Sequence, residues 1–391
     1  MNSNLRYIIL TIIIAIAGIT DGIAQSQIQS PIYINRDSIW YSQEAAKWKD
    51  VINKQNDDEN AWENYYKAMR YALLWSWNGN NYNKENVDKM NNVLSEMKKA
   101  IPDSFTFHLY NYYNLYAIGK NEDIEKAMEM KPESTQHYDI YAGYLLMLGD
   151  FERLNKLYVK WYNSGKFSID LINYFYNEIA SADKGSIIFV NGDAPVYADG
   201  VIQNGLNLFK DVTVVCLSVL PFDGDYREKI FKSLNIKPNE SYSWDKTKQA
   251  FNDYCVELIK YIAKESGRSV YLSSTMNNYI DMMKDSLYSE GLLFKYSTKP
   301  YDNIAKTDYN FTNIYLTDYL IQSFSPEKEN ASVSKTSLNF VVCLKSLLSF
   351  YKISGNKNQY DKLYKLLSII IEKNSDNLSS DLKQQYLKCL E

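Results

Sequence analysis

The sequence has few of the residues, and none of the short motifs, from which common enzyme sites are built. It contains only two histidines, His108 and His137, and its four cysteines form no Cys-x-x-Cys pair. It has no G-x-G-x-x-G, P-loop, G-x-S-x-G or H-E-x-x-H motif. Dinucleotide, P-loop nucleotide and common hydrolase sites therefore have no support, and no cofactor is predicted. Two histidines are too few for a histidine-based zinc site, and we interpret them as packing or surface residues.

An excess of basic charge is also absent. The chain has 43 Lys and Arg against 47 Asp and Glu, a net charge of −4. The sequence therefore gives no electrostatic support for nucleic-acid binding. Asp223-Gly224-Asp225 resembles part of a calcium loop, but the remaining oxygen ligands of an EF-hand are missing. No metal site is predicted.

A long apolar run occurs only at the start of the chain. Arg6 precedes an apolar stretch from Tyr7 to Ile19, and Gly22-Ile23-Ala24 supplies small residues for cleavage. The stretch is shorter than the ~20 residues of a spanning helix, which indicates a secretory signal peptide over residues 1–24. We predict an exported, periplasmic chain without a transmembrane span after processing. An extracellular or outer-membrane-associated location is the alternative.

The cysteines lie far apart along the chain, each in an apolar segment: Cys216, Cys255, Cys343 and Cys389. An exported protein can oxidise such residues to a disulfide. Buried free thiols explain the same pattern. The sequence leaves both interpretations open.

Changes of pattern divide the rest of the chain into four segments. Residues 25–41 are predicted to be an extended arm, 42–183 a helical-repeat domain, 184–300 an α/β domain and 301–391 a helical region. In the repeat domain, Pro102 and Pro132 are thirty residues apart, as are Gly119 and Gly149. Each unit has the pattern helix, glycine turn, helix and resembles the tetratricopeptide class. An alpha-solenoid is therefore expected.

The α/β segment alternates apolar strands with helices, which predicts a small, mostly parallel sheet. The strands are predicted in SIIFVNG, VTVVCLSVL, RSVYLSST and GLLFKYS. The last segment again has the pattern helix, glycine turn at Gly355, helix. The predicted fold class is therefore α plus α/β, with a C-terminal helical hairpin.

Polar residues follow the predicted strands at the sheet edge where parallel sheets bind ligands. Asn191, Gly192 and Asp193 follow the first strand, Asp225 lies beyond the second, and Thr275 follows the third. Such residues suit a polar-ligand cleft, because Asp and Asn accept hydrogen bonds from hydroxyls and glycine lets a ligand approach the backbone.

A simpler interpretation of the same corner stays open. Asp193 stands two residues before Pro195, a spacing that suits a helix N-cap with proline in the first turn. Asn191-Gly192 suits a tight turn. Glu290 is a further, weaker ligand-binding candidate near the start of the fourth predicted strand.

The α/β segment also resembles a known family over about 110 residues. It is similar to the soluble C-terminal portion of an uncharacterised multi-span membrane family of Bacteroidetes, which itself resembles protein O-mannosyltransferases. Its members carry an N-G-D-N-D-T element, a V-x-V-V-N-L-S-L-L strand, an acidic-aromatic pair, a P-I/V-Y-F strand and an E-G-L segment. The counterparts here are Asn191 to Asp193, Val212 to Leu220, Asp225-Tyr226, Val270-Tyr271 and Glu290 to Leu292.

This sequence departs from that family in two ways. Ala194-Pro195-Val196 replaces N-D-T, so the second acidic residue of the element is missing. The multi-span region, where lipid-linked sugar transfer would reside, is absent. The resemblance therefore implies a relative of the accessory domain rather than a glycosyltransferase.

Two functional hypotheses follow. The first is a non-enzymatic binding or scaffold protein of the bacterial cell envelope, in which the helical repeats bind a protein partner. The second is a glycan-related enzyme or a binder of a small polar ligand, with its site around Asp193. In the second, Asp193 is the base or hydroxyl acceptor, and Asn191, Asp225 and Thr275 orient the ligand.

Overall fold

The computed structural model describes residues 26–29, 36–74, 83–114, 121–222, 224–237, 248–322 and 335–391. It divides the chain into two compact units, Met1–Glu133 and Ser134–Glu391. The predicted signal peptide, part of the predicted arm, Gly119 and Asp223 lie outside the described residues. The domain boundaries predicted near residues 184 and 301 fall inside the second unit and remain predictions.

The first unit is helical where it is described. Its helices are α1 Ser38–Lys54, α2 Glu59–Leu73, α3 Lys84–Ala100, α4 Phe105–Tyr113 and α5 Asn121–Met130. α1 begins inside the segment predicted to be extended, because the Asp37 carboxylate accepts a hydrogen bond from the Trp40 amide and caps the helix. His108 lies in the interior of this unit, where its Nδ1 is 2.6 Å from Asp123 Oδ1 and joins α4 to α5.

The second unit starts with three helices, α6 Tyr138–Met147, α7 Phe151–Asn163 and α8 Ile169–Ala180. α6 and α7 are separated by Gly149, whose φ of 59° lies in the left-handed region that favours glycine. Buried apolar and aromatic residues form one face of α7, including Leu154, Leu157 and Trp161. α7 packs against the helix that follows the first strand of the sheet.

One small mixed sheet forms the centre of the second unit. Its strands are β1 Ile187–Val190, β2 Thr213–Cys216, β3 Val270–Ser273, β4 Leu287–Ser289 and β5 Leu293–Tyr296. They are arranged in the order β2-β1-β3-β5-β4. β1 is parallel to β2 and β3, whereas β5 is antiparallel to β3 and β4. The few residues between β4 and β5 are too short for a crossover, so these strands form a hairpin.

Helices connect the parallel strands of the sheet. α9 Asp193–Asn204 joins β1 to β2, and α10 Asp225–Ser233 and α11 Lys248–Ser266 lie between β2 and β3. β1 is buried along its whole length, which explains its continuous apolar sequence. α7 and α8 both pack against α9. The residues before the sheet therefore belong to the same core as the sheet.

The structure describes six further α-helices in this unit. They are α12 Asn277–Met282, α13 Asn303–Tyr309, α14 Asp318–Ile321, α15 Asn339–Ile353, α16 Lys357–Lys373 and α17 Ser380–Lys388. α15 packs on α16, and the connection between them contains Gly355 at a φ of 72°. All four cysteines are free thiols, and three of them are buried. No helix among the described residues has the length and apolar character needed to cross a membrane.

Candidate functional site at the carboxyl edge of the sheet

The carboxyl ends of β1, β2 and β3 lie at one edge of the sheet, as their parallel pairing requires. The chain leaves β1 for β2 on one side and then returns to β3 on the other side of β1. The region outside the strand ends at such a reversal is where open α/β sheets bind ligands. The segment that leaves β1 here is Asn191-Gly192-Asp193.

The turn after β1 is made by glycine backbone. Gly192 is the N-cap of α9, with φ 92° and ψ 177°, and a Cβ at this position would meet no atom within 4 Å. Asp193 is the first residue of the helix. The prediction that Asp193 caps α9 is therefore wrong, because the left-handed conformation of Gly192 places Asp193 inside the helix. The space beside Gly192 is open to a ligand.

The Asp193 carboxyl group is reachable and yet closely surrounded. The residue is exposed to solvent, and no described residue donates a hydrogen bond to its carboxylate. Burial among surrounding protein atoms raises the pKa of Asp193 above its ordinary value. An exposed carboxylate without a protein donor is available to accept hydrogen bonds from a ligand.

Tyr158 of α7 packs against α9. Its ring lies on the backbone of Gly200, where an added Cβ would come within 2.2 Å of the ring. The residue is 3 % exposed, and its buried hydroxyl has no hydrogen-bond partner. The hydroxyl is close enough to the Asp193 and Asp199 carboxyl groups for both to raise its pKa, although burial is the main cause of the rise.

Cys216 ends β2 on the same edge. Its Sγ is 3.1 Å from Ser218 Oγ, and its backbone N–H donates to the Tyr226 hydroxyl at 2.7 Å. Burial raises the pKa of the thiol, and the nearby Asp193 carboxyl raises it further. Cys216 is thus a neutral thiol, which does not suit the role of a nucleophile.

Two fully buried carboxyl groups lie on α9 and on α8. Asp199 of α9 is 1 % exposed, and neither of its carboxyl oxygens has a hydrogen-bond partner. Glu178 of α8 is also 1 % exposed; Ser274 Oγ donates to its Oε2 at 3.2 Å, and its Oε1 has no partner. Burial raises the pKa of Glu178 to about 8. Burial, and then the Glu178 carboxyl, raises the pKa of Asp199 well above its ordinary range.

The other predicted site residues have separate environments. Asn191 is exposed next to the Gly192 turn, and Asp225 is exposed as the first residue of α10. The Thr275 hydroxyl is paired with Ser273 Oγ at 2.7 Å within the turn after β3. In the part of the chain that the structure describes, no interaction joins Asp225 or Thr275 to Asp193.

Glu290 has a structural environment. It is 2 % exposed, and its two carboxyl oxygens accept hydrogen bonds from Tyr271, at 3.3 Å, and Tyr301, at 2.7 Å. Its carboxyl group therefore joins the turn between β4 and β5 to neighbouring elements. Each oxygen has a protein partner and solvent does not reach the group, so it is not open to a ligand in this arrangement.

Sequence reasoning missed Tyr158, Asp199 and Glu178. A signal was present for the two acids, since each interrupts an otherwise apolar helix, in VYADGVI and in YFYNEIA. An acidic residue on a buried helix face predicts a buried carboxyl group. No group of three or more His, Cys, Asp or Glu side chains in the described ranges is arranged to hold a metal ion.

Neither a scan against models of protein families nor a search of curated proteins finds a match for this chain. The family resemblance stated from the sequence therefore remains an expectation.

Proposed function

We propose that the second unit binds a small polar ligand with hydroxyl groups, such as a sugar, at the turn between β1 and α9. The observation that supports this most is the Asp193 carboxylate, which solvent reaches and to which no described residue donates. A carboxylate in this position accepts hydrogen bonds from ligand hydroxyls. Gly192 leaves room for the ligand beside the backbone.

We assign binding rather than catalysis to this site. Of the three carboxyl groups, Asp193 alone is exposed, while Asp199 and Glu178 are each 1 % exposed. The neutral Cys216 thiol offers no activated nucleophile. A single reachable carboxylate orients and holds a polyol, which is the role that the geometry supports.

The packing of the second unit limits which helical faces could bind a protein partner under the scaffold hypothesis. The face of α7 that a solenoid would offer is covered by α9, at the contact between Tyr158 and Gly200. A protein-binding role for helical repeats therefore remains a prediction for the first unit. Export to the periplasm remains a proposal based on residues 1–24, and cell fractionation with N-terminal sequencing of the product tests it.

Ligand binding is tested by Asp193→Asn. Titration calorimetry with a panel of neutral monosaccharides should detect binding to the wild-type protein. The variant should lose about tenfold or more in affinity, because a charge-assisted hydrogen bond becomes a weaker neutral one. Asp381→Asn is the matched control, since Asp381 is also an exposed aspartate in the first turn of a helix. Unchanged affinity in Asp193→Asn would contradict the proposal.

Asp225→Asn measures how far the site extends. Asp225 follows a glycine N-cap at the start of α10, as Asp193 does in α9. A loss of affinity in this variant supports the predicted orienting role of Asp225. Unchanged affinity limits the site to the turn after β1.

A further inference from the structure

The hairpin formed by α15 and α16 ends in a turn whose backbone and inner side are both held in place. Gly355 reverses the chain at a φ of 72°. Across the turn, the Asn356 amide donates to the Tyr351 carbonyl at 3.0 Å, and the Asn356 side chain caps α16. The Tyr351 side chain is 1 % exposed, and its hydroxyl donates to Asp308. Side chains on the opposite side of this end of α15 therefore face solvent.

Three apolar side chains lie on that outer side of α15. Phe350 is 45 % exposed, and Ile353, one turn later, is 87 % exposed, the largest value for any large apolar side chain in the described ranges. Val342 is 44 % exposed and lies three turns before Ile353, on the same side of the helix. Single apolar residues are ordinary on a surface, whereas several on one face mark an interaction site. We call Val342, Phe350 and Ile353 the outer apolar face.

The charge around the outer apolar face is positive. Residues 339–360 include three lysines, Lys345, Lys352 and Lys357, and no Asp or Glu, although acidic residues outnumber basic ones over the whole chain. All three lysines are exposed. Lys352 donates to the backbone carbonyl of Glu391 at 2.7 Å. The face is thus complementary to a partner that is negatively charged and partly apolar.

An anionic lipid surface fits these observations better than a protein does. A stable protein interface buries about 800 Å² on each partner, whereas the outer apolar face consists of three side chains on one helix. A bilayer needs no matching contour, because apolar side chains enter between the headgroups and lysines attract the lipid phosphates. Tyr360 and Tyr364 stack at a centroid distance of 5.8 Å in the first two turns of α16, and tyrosine is enriched at membrane interfaces.

We propose that the outer apolar face is a docking surface for an anionic phospholipid membrane. Phe350 and Ile353 enter the interfacial region of the bilayer, and Lys345 and Lys357 lie against the headgroups. The surface is on α15, whereas the proposed ligand site is at the turn between β1 and α9. Lipid docking is therefore independent of the proposed ligand and is tested separately.

Quenching of fluorescence at one position tests the insertion. Ile353→Trp in the full chain is mixed with vesicles of phosphatidylglycerol or of phosphatidylcholine whose acyl chains carry bromine, a short-range quencher of tryptophan. Ile169→Trp is the matched control, because Ile169 is also an exposed isoleucine of the second unit, at the start of α8. After subtraction of the signal of the seven native tryptophans, we expect quenching at position 353 by phosphatidylglycerol and none at position 169. Added salt should weaken it, since salt screens the attraction between lysines and headgroups.

Three results of this measurement would overturn the proposal: no quenching at position 353, equal quenching at both positions, or equal quenching by the two lipids. Sedimentation velocity without lipid tests a second copy of the chain as the occupant. An unchanged sedimentation coefficient in Phe350→Ser/Ile353→Ser supports lipid docking. A wild-type dimer that this variant converts to a monomer would assign the face to self-association instead.

The lysines are tested in the Ile353→Trp background. Lys345→Gln with Lys357→Gln should raise the phosphatidylglycerol concentration needed for half-maximal quenching by about tenfold or more, because two charges near an anionic surface are lost. Lys345→Arg with Lys357→Arg keeps both charges and should leave that concentration unchanged. Equal concentrations for the Gln and Arg variants would contradict the assigned role of the lysines and with it the proposal.

Discussion

Glu178 shows how one buried side chain changes the stability of the whole second unit with pH. Its pKa is raised by burial from 4.5 to about 8 in the folded protein. Between those values the folded chain holds a proton that the unfolded chain has released. The stabilisation is therefore complete below pH 4.5 and is lost as pH rises toward 8.

Glu178→Gln should reduce this dependence. For the wild-type protein, Glu178 lowers the free energy of unfolding by up to about 1.4 kcal/mol per pH unit across that interval. Glutamine does not titrate, so the free energy of unfolding of the variant should fall less between pH 5 and pH 8 than that of the wild-type protein. Relative to wild type, the variant should therefore be more stable at pH 8 than at pH 5. Urea denaturation at a series of pH values measures this. Parallel profiles for the two proteins would show that Glu178 is ionised in the folded state.

At the scale of helices and strands, the contact between α7 and α9 determines the shape of the site. α7 approaches α9 so closely at Gly200 that the Tyr158 ring occupies the volume of a side chain there. This contact brings the Tyr158 hydroxyl near Asp193 and Asp199. A residue with a Cβ would force the two helices apart.

Gly200→Ala should therefore destabilise the second unit by about 1–3 kcal/mol, the usual range for overpacking. The measurement is the midpoint and slope of urea unfolding. A double-mutant cycle supplies the control: in a Tyr158→Ala background, which empties the space, Gly200→Ala should have a much smaller effect. Equal effects in both backgrounds would mean that the ring does not occupy this space.

Strands were predictable from sequence where burial dictates composition. β1, β2, β3 and β5 all lie within the predicted apolar segments, whereas β4 has three residues, of which only Leu287 is buried, and gives no such signal. The start of α9 was mispredicted because Asp193 before Pro195 suits a cap, while the actual cap depends on the φ of Gly192. The contact of Tyr158 with Gly200 could not be predicted, since no local pattern joins residues on separate helices.

At the scale of the whole molecule, the second unit contains every residue of the proposed site. Tyr158 and Glu178 come from helices that precede the sheet, and these helices share its core. The boundary of the unit at Ser134 is therefore the functional boundary of the site, and the boundary predicted near Lys184 would cut through it.

Two fragments test this. Residues 134–391 should fold alone and retain the ligand affinity of the full chain, because core and site are both complete. Residues 184–391 should fold poorly, because α7 and α8 no longer cover α9 and the sheet. Circular dichroism and titration calorimetry on both fragments provide the readout. A well-folded, ligand-binding 184–391 fragment would contradict this division.

The spacing of Gly192-Asp193 and Asp199-Gly200 has a consequence for finding relatives of this chain. Asp193 and Asp199 are six residues apart, so they lie on different sides of α9. The first glycine is required by the turn and the second by the Tyr158 ring, while Asp193 is the exposed aspartate and Asp199 the buried one. A homologue that keeps this turn and this helix contact should therefore carry the signature Gly-Asp-x5-Asp-Gly directly after a strand. Homologues that keep only the first pair should retain the turn and the exposed carboxylate but not the close approach of α7 to α9.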